Sequence, residues 1–329
     1  MGIRGWGNCK LKISNSQQLK PKTCFIDKIA QKMAKNDNKY LKTNELLCER
    51  FSNKRNEIMN TPTKLSDLTQ NYLITNQQQA DYQANGHILL RNILTHDEIN
   101  NYRNVIVGAA ARFNTEKRKI EDRDTYGKAF LQIMNLWEVD EDVRKFTLAK
   151  RFGKIAADLM GVEKVRIYHD QALFKEAGGG HTPWHQDQYY WPLETKNTIT
   201  MWMPLMDISV EMGMLTFASG SQELGFMGNL AISDKSEEIL GNLVKEKNYP
   251  VTRAEVMQAG DATFHAGWTL HSAPANYSNK TREVMTIIFV EDGAIISEPK
   301  NKNQEADRLK WFQGLPVGSL AASDINPLI

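Results

Sequence analysis

The chain has 329 residues, of which 41% are hydrophobic and 9% aromatic, a composition typical of a globular protein with a sizeable core. No stretch approaches the ~18 consecutive apolar residues of a membrane-spanning helix, and the segment after Met1 lacks the apolar core of a secretory signal. We therefore expect a cytoplasmic protein with no membrane partner. Composition does not indicate its oligomeric state.

Charge is unevenly distributed along the chain, although the net charge is only +2. Residues 1–60 hold 13 Lys or Arg against 5 Asp or Glu, whereas the remainder holds 28 against 34. We interpret residues 1–70 as a basic, polar extension and residues 71–329 as the folded domain. The extension is typical of a solvated segment, and contact with nucleic acid or with an organelle import machinery is the alternative. The net acidic body predicts no nucleic-acid binding by the domain itself.

The three cysteines, Cys9, Cys24 and Cys48, all lie in this extension. Their spacings of 15 and 24 residues match no zinc ribbon, so neither a structural zinc site nor a disulfide framework is indicated. A helix near Asn44–Met59 and a break at Thr61–Thr63 precede the domain. Because the domain has no cysteine, a metal site there must use nitrogen and oxygen ligands.

Helices are predicted at the start of the folded domain. We expect a helix at Thr75–Asn85, a short edge strand at Gly86–Leu94, and a second helix beginning at Thr95–Glu98. Apolar residues at helical spacing predict a support helix over Asp140–Met160, with Gly161 placed to end it.

Strands dominate the chain from Val165 onward. Runs of β-type residues separated by Gly-rich turns predict strands at Val165–Phe174, Thr198–Leu205, Met214–Phe217, Asp261–Phe264 and Val284–Val290. Such a series indicates an all-β sandwich or barrel. Helices gathered before the strands argue against a doubly wound α/β sheet.

The run His185-Gln186-Asp187 and the later His271 are the strongest chemical signal. Side chains two apart in an extended strand project from the same face, so His185 and Asp187 could reach one metal ion. A β-barrel could bring His271 beside them. Two imidazoles and one carboxylate occupy one face of an octahedral Fe(II) and leave the opposite face free for a co-substrate and O2. A His-x-Asp tripeptide alone is a weak signal, so its neighbours decide its meaning.

The other five histidines compete for a metal ion. His181 and His185 have the spacing of a helical zinc pair, but Pro183 and the preceding glycines exclude a regular helix there. We expect the rest to be core, structural or exposed residues: His169 and His265 in the core or beside the ligands, and His87 and His96 away from them.

One arginine and an aromatic cluster complete the candidate site. Arg282 begins a strand on the same face as Thr286 and is suited to gripping a carboxylate through two parallel hydrogen bonds. The alternative is a surface ion pair with Glu283 or Glu291. Aromatic residues flank the ligand motif, and we assign the substrate wall to three of them, with core packing as the alternative: Tyr189, Tyr190 and Trp191.

These motifs in this order resemble the phytanoyl-CoA dioxygenase family of Fe(II)/2-oxoglutarate oxygenases, over roughly residues 75–329. The segments that carry the resemblance are Trp184–Asp187, Met201–Leu205, Gly213–Leu215, Ala218–Ser221, Gly260-Asp261, and His271 followed by Arg282.

The resemblance implies a mostly β fold with flanking α-helices, a double-stranded β-helix or jelly-roll core, one Fe(II), 2-oxoglutarate and O2 as co-substrates, and ascorbate as an auxiliary reductant. It implies that His185, Asp187 and His271 bind the iron and that Arg282 binds the distal carboxylate of 2-oxoglutarate. Three further residues match positions that line the co-substrate in the family: Trp202, Gln171 and Gln132.

Two departures from the family pattern affect the expected chemistry. Many relatives have Ser where this chain has Ala273, so the hydrogen bond made by that Ser is expected to be lost or moved. Gln222 stands where many relatives have His, and we expect this change to affect packing. Asp187 resembles the oxygenating branch, since halogenating relatives replace this carboxylate.

We expect hydroxylation of a small-molecule metabolite, while desaturation, epoxidation or ring closure would use the same ligands. The acidic body disfavours an acyl-CoA substrate. A loop at Gly178–His181 and the C-terminal tail are expected to close over the site. The rival hypotheses are a non-catalytic 2-oxoglutarate-binding jelly roll and a cupin-type isomerase, which would favour His-x-His in the first motif.

Overall fold

A computed structural model of the protein describes residues 65–329. The predictions for the basic extension, including its cysteines and the helix at Asn44–Met59, fall almost entirely outside these residues. Leu68, which we assigned to the extension, is buried in the main core. Among the helices of residues 65–329, none is both long enough and apolar enough to span a membrane.

The first two helices and the edge strand lie close to where the sequence predicts them. Helix α1 (Asn76–Asn85) and helix α2 (His96–Phe113) both begin with a capping box, in which Thr75 pairs with Gln78 and Thr95 pairs with Glu98. Between them, strand β1 (His87–Leu90) lies at the edge of a sheet. The strand is shorter than predicted because Asn92 adopts a left-handed conformation and donates its backbone N–H to Asp261, which turns the chain.

The predicted support helix over Asp140–Met160 is wrong as a single element. After α3 (Thr125–Ala129), strand β2 (Leu131–Met134) and α4 (Leu136–Val139), the chain forms α5 (Glu141–Thr147) and then α6 (Lys150–Met160), with extended backbone at Ala149 between them. Both helices bury apolar faces, so the apolar spacing continues across the break and does not reveal it. Gly161 ends α6 with φ +73°, as predicted.

The remaining strands and two helices complete the domain: β3 (Val165–Phe174), β4 (Thr182–His185), β5 (Thr198–Pro204), β6 (Ile208–Ser209), β7 (Thr216–Ala218), α7 (Asp234–Glu246), β8 (Val251–Arg253), β9 (Val256–Met257), β10 (Ala262–Ala266), β11 (His271–Ala273), β12 (Val284–Glu291) and α8 (Lys302–Trp311). All five predicted strands are present with ends shifted by at most two residues. Helices α7 and α8 correct the expectation that helices precede the strands.

Two antiparallel sheets form the jelly-roll core. The larger has the order β1-β10-β5-β12-β3-β2, the smaller has the order β4-β11-β7-β8, and β6 pairs separately with β9. This confirms the predicted fold class, because every strand pair in both sheets is antiparallel, whereas a doubly wound sheet is built from parallel strands joined by helical crossovers.

Alternation along the strands of the larger sheet separates two faces. Met201, Phe264 and Ile287 lie on the face that packs against the helices in the main core. The opposite face carries two rows of register partners across β3, β12, β5 and β10: His169, Ile288, Thr200 and His265 in one, and Gln171, Thr286, Trp202 and Thr263 in the next. These rows supply much of the wall of the cavity described below.

Candidate metal centre

Strand pairing brings His185 and His271 together. His185 ends β4, His271 begins β11, and the two residues are direct register partners. Their ring centroids lie 4.1 Å apart. Two imidazoles separated by 86 residues in sequence therefore meet at one end of the smaller sheet.

Asp187 joins them from just beyond the end of β4. Gln186 keeps extended backbone angles, and Asp187 then begins a 3-10 turn over Asp187–Tyr190. The expectation that one strand holds both motif residues is therefore correct only up to Gln186. Asp187 Oδ1 lies 3.5 Å from His185 Nε2 and 3.6 Å from His271 Nε2.

Backbone carbonyls select the same tautomer for both imidazoles. His185 Nδ1 donates to the Pro183 carbonyl at 2.7 Å, and His271 Nδ1 donates to the Thr269 carbonyl at 3.0 Å. Because a carbonyl only accepts, Nδ1 carries the proton and the Nε2 lone pair is free to bind a metal. Burial lowers the pKa of His271 well below its ordinary value, with the neighbouring His185 adding to the shift, so this imidazole stays neutral.

The second oxygen of Asp187 is held by two donors from the larger sheet. Asp187 Oδ2 accepts hydrogen bonds from Thr200 Oγ1 at 2.9 Å and from His265 Nε2 at 3.1 Å. Burial alone would raise the pKa of Asp187, but the surrounding imidazoles outweigh it and hold the pKa well below its ordinary value. His265 thus lies beside the ligands, and its buried Nδ1 has no partner among the described residues.

The three donors fit a single transition-metal ion. One oxygen or nitrogen atom from each of His185, Asp187 and His271 lies within 4.8 Å of the others. Donors on one face of an octahedron, each at ~2.1 Å from the metal, would lie about 3 Å apart, which small side-chain adjustments reach. The donor set matches the two-histidine, one-carboxylate arrangement of non-haem Fe(II) oxygenases.

A cavity of about 280 Å³ opens beside these donors. All but one of the other residues that we predicted for the site line it: Arg282, Trp202, Gln171, Gln132, Tyr190 and Trp191. Tyr189 is the exception and corrects the prediction. Its side chain is buried against α8, where its hydroxyl accepts a hydrogen bond from Asn303, because successive residues of a 3-10 turn point in different directions.

Arg282 is a buried cation without a carboxylate partner among residues 65–329. Its Nη1 donates to the Gly213 carbonyl, its guanidinium carbon lies 5.0 Å from the Trp202 ring centroid, and its Nε has no partner in the described part of the chain. Burial lowers its pKa to about 9. The alternative of a surface ion pair with Glu283 fails, because Glu283 pairs with Arg103. The arrangement fits an anionic ligand in the cavity.

Thr182 is a cavity residue that the sequence reasoning missed. It is the register partner of Ala273, the position where many relatives have Ser. Thr182 Oγ1 accepts a hydrogen bond from the buried Lys175 Nζ at 3.3 Å, so its own hydroxyl proton is free to point elsewhere. Burial, with the nearby charge of Arg282, lowers the pKa of Lys175 to about 6. Ala273 in place of the Ser found in many relatives was a signal that another hydroxyl is needed. Finding Thr182 as its source required the strand register.

A chain of hydrogen bonds crosses another wall of the cavity. Tyr126 donates to Gln132 at 2.9 Å, Gln132 donates to Gln171 at 2.9 Å, and Gln171 Nε2 lies 3.3 Å from His169 Nδ1. Burial lowers the pKa of His169 to about 3, so this imidazole is neutral and accepts at Nδ1. The chain fixes the orientation of both glutamine amides.

The loop expected to close over the site is attached to its surroundings. Gly180 donates its backbone N–H to the Lys128 carbonyl at 2.8 Å, and Gly178 donates to the Asn276 carbonyl at 3.0 Å. The C-terminal tail is docked on β3, where Ile329 donates to the Val165 carbonyl at 2.9 Å. Closure by either segment stays a prediction that these contacts do not favour.

The family model of phytanoyl-CoA dioxygenase (PhyH) matches residues 82–284. Among curated proteins, the chain is 26% identical over 217 residues to the phytanoyl-CoA dioxygenase domain-containing protein 1 of Danio rerio, covering 62% of this chain and 73% of that protein.

Solved structures show the same fold. The alpha-ketoglutarate-dependent carbocyclase SnoK from nogalamycin biosynthesis superposes with a TM-score of 0.64 at 21% identity, covering 78% of this chain and 96% of that one. The epimerase SnoN, in complex with Fe3+, alpha-ketoglutarate and nogalamycin RO, superposes with a TM-score of 0.63 at 21% identity, covering 77% and 97%. The chain therefore belongs to the phytanoyl-CoA dioxygenase family and is a non-haem iron, 2-oxoglutarate-dependent oxygenase.

Proposed function

We propose that this enzyme hydroxylates an unactivated C–H bond of a small-molecule metabolite. In the balanced reaction, substrate R–H, 2-oxoglutarate and O2 give R–OH, succinate and CO2. The observation that carries the proposal is that His185, Asp187 and His271 converge at a cavity whose wall contains the unpaired Arg282. Iron, when bound, supplies the redox chemistry that couples decarboxylation of the co-substrate to oxidation of the C–H bond.

The protein's own residues have separate roles in this proposal. His185 Nε2, His271 Nε2 and Asp187 Oδ1 hold the iron, and Thr200 and His265 orient the carboxylate. The tautomers selected by the Pro183 and Thr269 carbonyls keep both ligand nitrogens unprotonated.

The co-substrate is assigned to the cationic part of the cavity. The Arg282 guanidinium, whose Nε has no partner among the described residues, is suited to the distal carboxylate of 2-oxoglutarate, and the Thr182 hydroxyl supplies the donor that Ala273 lacks. Gln171, Gln132 and Trp202 form the neighbouring wall. Holding the distal carboxylate here limits where the keto group can lie relative to the metal ligands.

The substrate is assigned to the rest of the cavity, with Tyr190 and Trp191 in its wall. A cavity of about 280 Å³ is just below the usual range for ligand sites, ~300–1,000 Å³, and it must also hold 2-oxoglutarate. The part of the substrate that enters is therefore small. This agrees with the net acidic body in favouring a metabolite over an acyl-CoA thioester.

Succinate release tests the proposal directly. The full-length protein, supplied with Fe(II), ascorbate, 2-oxoglutarate and O2, should release succinate slowly without substrate and faster with a fractionated metabolite extract. Asp187→Asn and His271→Ala should abolish both rates, whereas the matched control His96→Ala, at an exposed position, should not.

The rival functions give different outcomes in the same assay. A non-catalytic binder would bind 2-oxoglutarate and release no succinate. Mass spectrometry of the product separates hydroxylation, which adds one oxygen atom, from desaturation or ring closure, which removes two hydrogens. The similar structures are named a carbocyclase and an epimerase, so ring closure and epimerisation, which leaves the product mass unchanged, are the alternative outcomes to check.

A further inference from the structure

The cavity wall contains an acidic group with no described role, on a different part of the wall from Arg282. Arg282 forms a β-bridge with Lys175, six residues along the chain from His169, whose ring lies 5.0 Å from that of Trp311 on α8. Asp307, on α8, lines the cavity together with Trp311 and Lys310 from the same helix. Asp307 Oδ2 accepts a hydrogen bond from the Tyr168 hydroxyl at 2.8 Å. Among residues 65–329, no Lys, Arg or His side chain forms an ion pair with this carboxylate.

Lys310 is the nearest cation on the helix, and it does not neutralise Asp307. Lys310 is exposed, and its Nζ lies 4.2 Å from the centroid of the Trp311 ring. Burial raises the pKa of Asp307 to about 7, although hydrogen bonds from Tyr168 and Trp311 and the charge of Lys310 oppose the shift. The carboxylate thus lies in a partly buried position where a positive charge from a bound ligand would stabilise it.

Aromatic rings form much of the cavity wall that Asp307 shares. Five of them are Tyr126, Phe130, Tyr190, Trp191 and Trp311. An electron-rich ring face attracts ammonium groups, and a carboxylate beside several ring faces is the usual means of binding an amine or quaternary ammonium ligand.

The register of the larger sheet places this acidic group at a useful distance from the metal ligands. Thr200 donates a hydrogen bond to Asp187 and is the register partner of Ile288. Ile288 is in turn the register partner of His169. The ring centroids of His169 and Trp311 lie 5.0 Å apart. Two strand spacings separate Thr200 from His169, about 10 Å. Asp187 and Asp307 both line this cavity.

We propose that the primary substrate carries a basic nitrogen, which Asp307 binds as a cation within this aromatic cage while the carbon to be oxidised faces His185 and His271. The inference rests on the proposed function and names its substrate class. The cavity wall then has two regions of opposite polarity. Arg282 attracts the dianionic 2-oxoglutarate, and Asp307 repels it and attracts an ammonium group, so the two ligands are sorted electrostatically.

A binding experiment tests this without requiring turnover. Benzylamine, benzyl alcohol and benzoate share a ring and differ in charge, and Trp191 and Trp311 report on ligands in the cavity by fluorescence quenching. Each probe is titrated into the full-length protein with Mn(II) in place of Fe(II) and saturating 2-oxoglutarate, which keeps benzoate away from Arg282. We expect benzylamine to bind at least tenfold more tightly than the other two, a difference of about 1.4 kcal/mol.

Two variants test whether Asp307 causes the preference for benzylamine. Asp307→Asn should reduce the benzylamine preference to less than threefold, while Glu305→Gln should preserve it, because Glu305 lies on the same helix, outside the cavity, and pairs with Arg308. Equal binding of the three probes to the unmodified protein, or a preference that survives in Asp307→Asn, would overturn the proposal. Absence of succinate release would overturn the proposed function and leave this binding result to be judged separately.

Discussion

Thr182 and Ala273 lie directly opposite each other in the pair formed by β4 and β11. The strand that carries one histidine ligand therefore supplies the hydroxyl that is missing from the strand that carries the other. Lys175 donates to Thr182 from behind the cavity wall, which leaves the Thr182 proton for a ligand. Thr182 thus offers a hydroxyl opposite Ala273, the position where many relatives have Ser. Only the strand register reveals this relationship.

Removing this hydroxyl should weaken co-substrate binding. A hydrogen bond to a charged carboxylate contributes about 1.5–3 kcal/mol, so Thr182→Val should raise the Kd for 2-oxoglutarate roughly tenfold to 100-fold. Calorimetric titration with Mn(II) present measures this without turnover. Adding Ala273→Ser to the valine variant should restore at least part of the affinity, because the new hydroxyl enters from the facing position.

Thr216→Val is the matched control for that series. Thr216 is a buried threonine on β7 that does not line the cavity. If it weakened 2-oxoglutarate binding as much as Thr182→Val, or if the serine gave no recovery, the role assigned to Thr182 would be wrong.

Arg282 should be intolerant of replacement by lysine. Its Nη1 is already committed to the Gly213 carbonyl, so only the planar guanidinium can keep that bond and still offer two further donors to a carboxylate. We expect Arg282→Lys and Arg282→Gln each to weaken 2-oxoglutarate binding by more than tenfold, with metal binding unchanged. Calorimetry with Mn(II) and then with 2-oxoglutarate separates the two steps, and lysine binding as well as arginine would contradict the assigned geometry.

His265 should act on metal affinity through Asp187. The His265 Nε2 donor holds Asp187 Oδ2, and loss of a group that orients a ligand typically costs tenfold to 100-fold in metal affinity. We expect His265→Ala to weaken Mn(II) binding by roughly this amount and His265→Gln, which keeps an N–H donor, to recover part of it.

His87 offers the control for this prediction. It is the register partner of His265 on β1, but its Nε2 bonds to Ser219 and its ring stacks on Phe217. His87→Gln should leave Mn(II) affinity unchanged. A loss of Mn(II) affinity in His87→Gln equal to that in His265→Ala would indicate a general packing effect instead.

The sequence predicted the metal ligands and Arg282 better than it predicted the other residues of the cavity wall. The ligand trio and Arg282 could be identified because few residue types bind iron or a carboxylate, and the order of motifs restricted the choice further. Thr182 depended on strand register, which spacing does not reveal. Asp307 and Trp311 reach the cavity only because α8 docks beside β3, and no periodic pattern in α8 signals that contact.

The errors in the predicted elements have a similar origin. Tyr189 and Tyr190 are adjacent in sequence, yet the 3-10 turn sends one towards α8 and the other into the cavity. Composition could identify both as aromatic wall candidates but could not separate them. The break at Ala149 was missed because the apolar residues of α5 and α6 share one continuous spacing.

The last prediction concerns stability, and it follows from the unpaired Asp307. Its pKa is raised to about 7 in the folded protein, against ~3.9 in an unfolded chain. Between these values the folded state holds a proton that the unfolded state has lost, so the contribution of Asp307 to stability is full below about pH 4 and is lost as the pH rises through 7. Burial raises the pKa of Tyr168, the hydroxyl that donates to Asp307, well above its ordinary value, so this group stays protonated across the range. The Tm of Asp307→Asn should therefore increase relative to that of the unmodified protein between pH 5 and pH 8, on the order of a few degrees, in thermal melts followed by circular dichroism. A Tm difference that stays constant across this range would mean that Asp307 is already stabilised as an anion inside the protein, and the cavity would then have no unmet negative charge for a cationic substrate to neutralise.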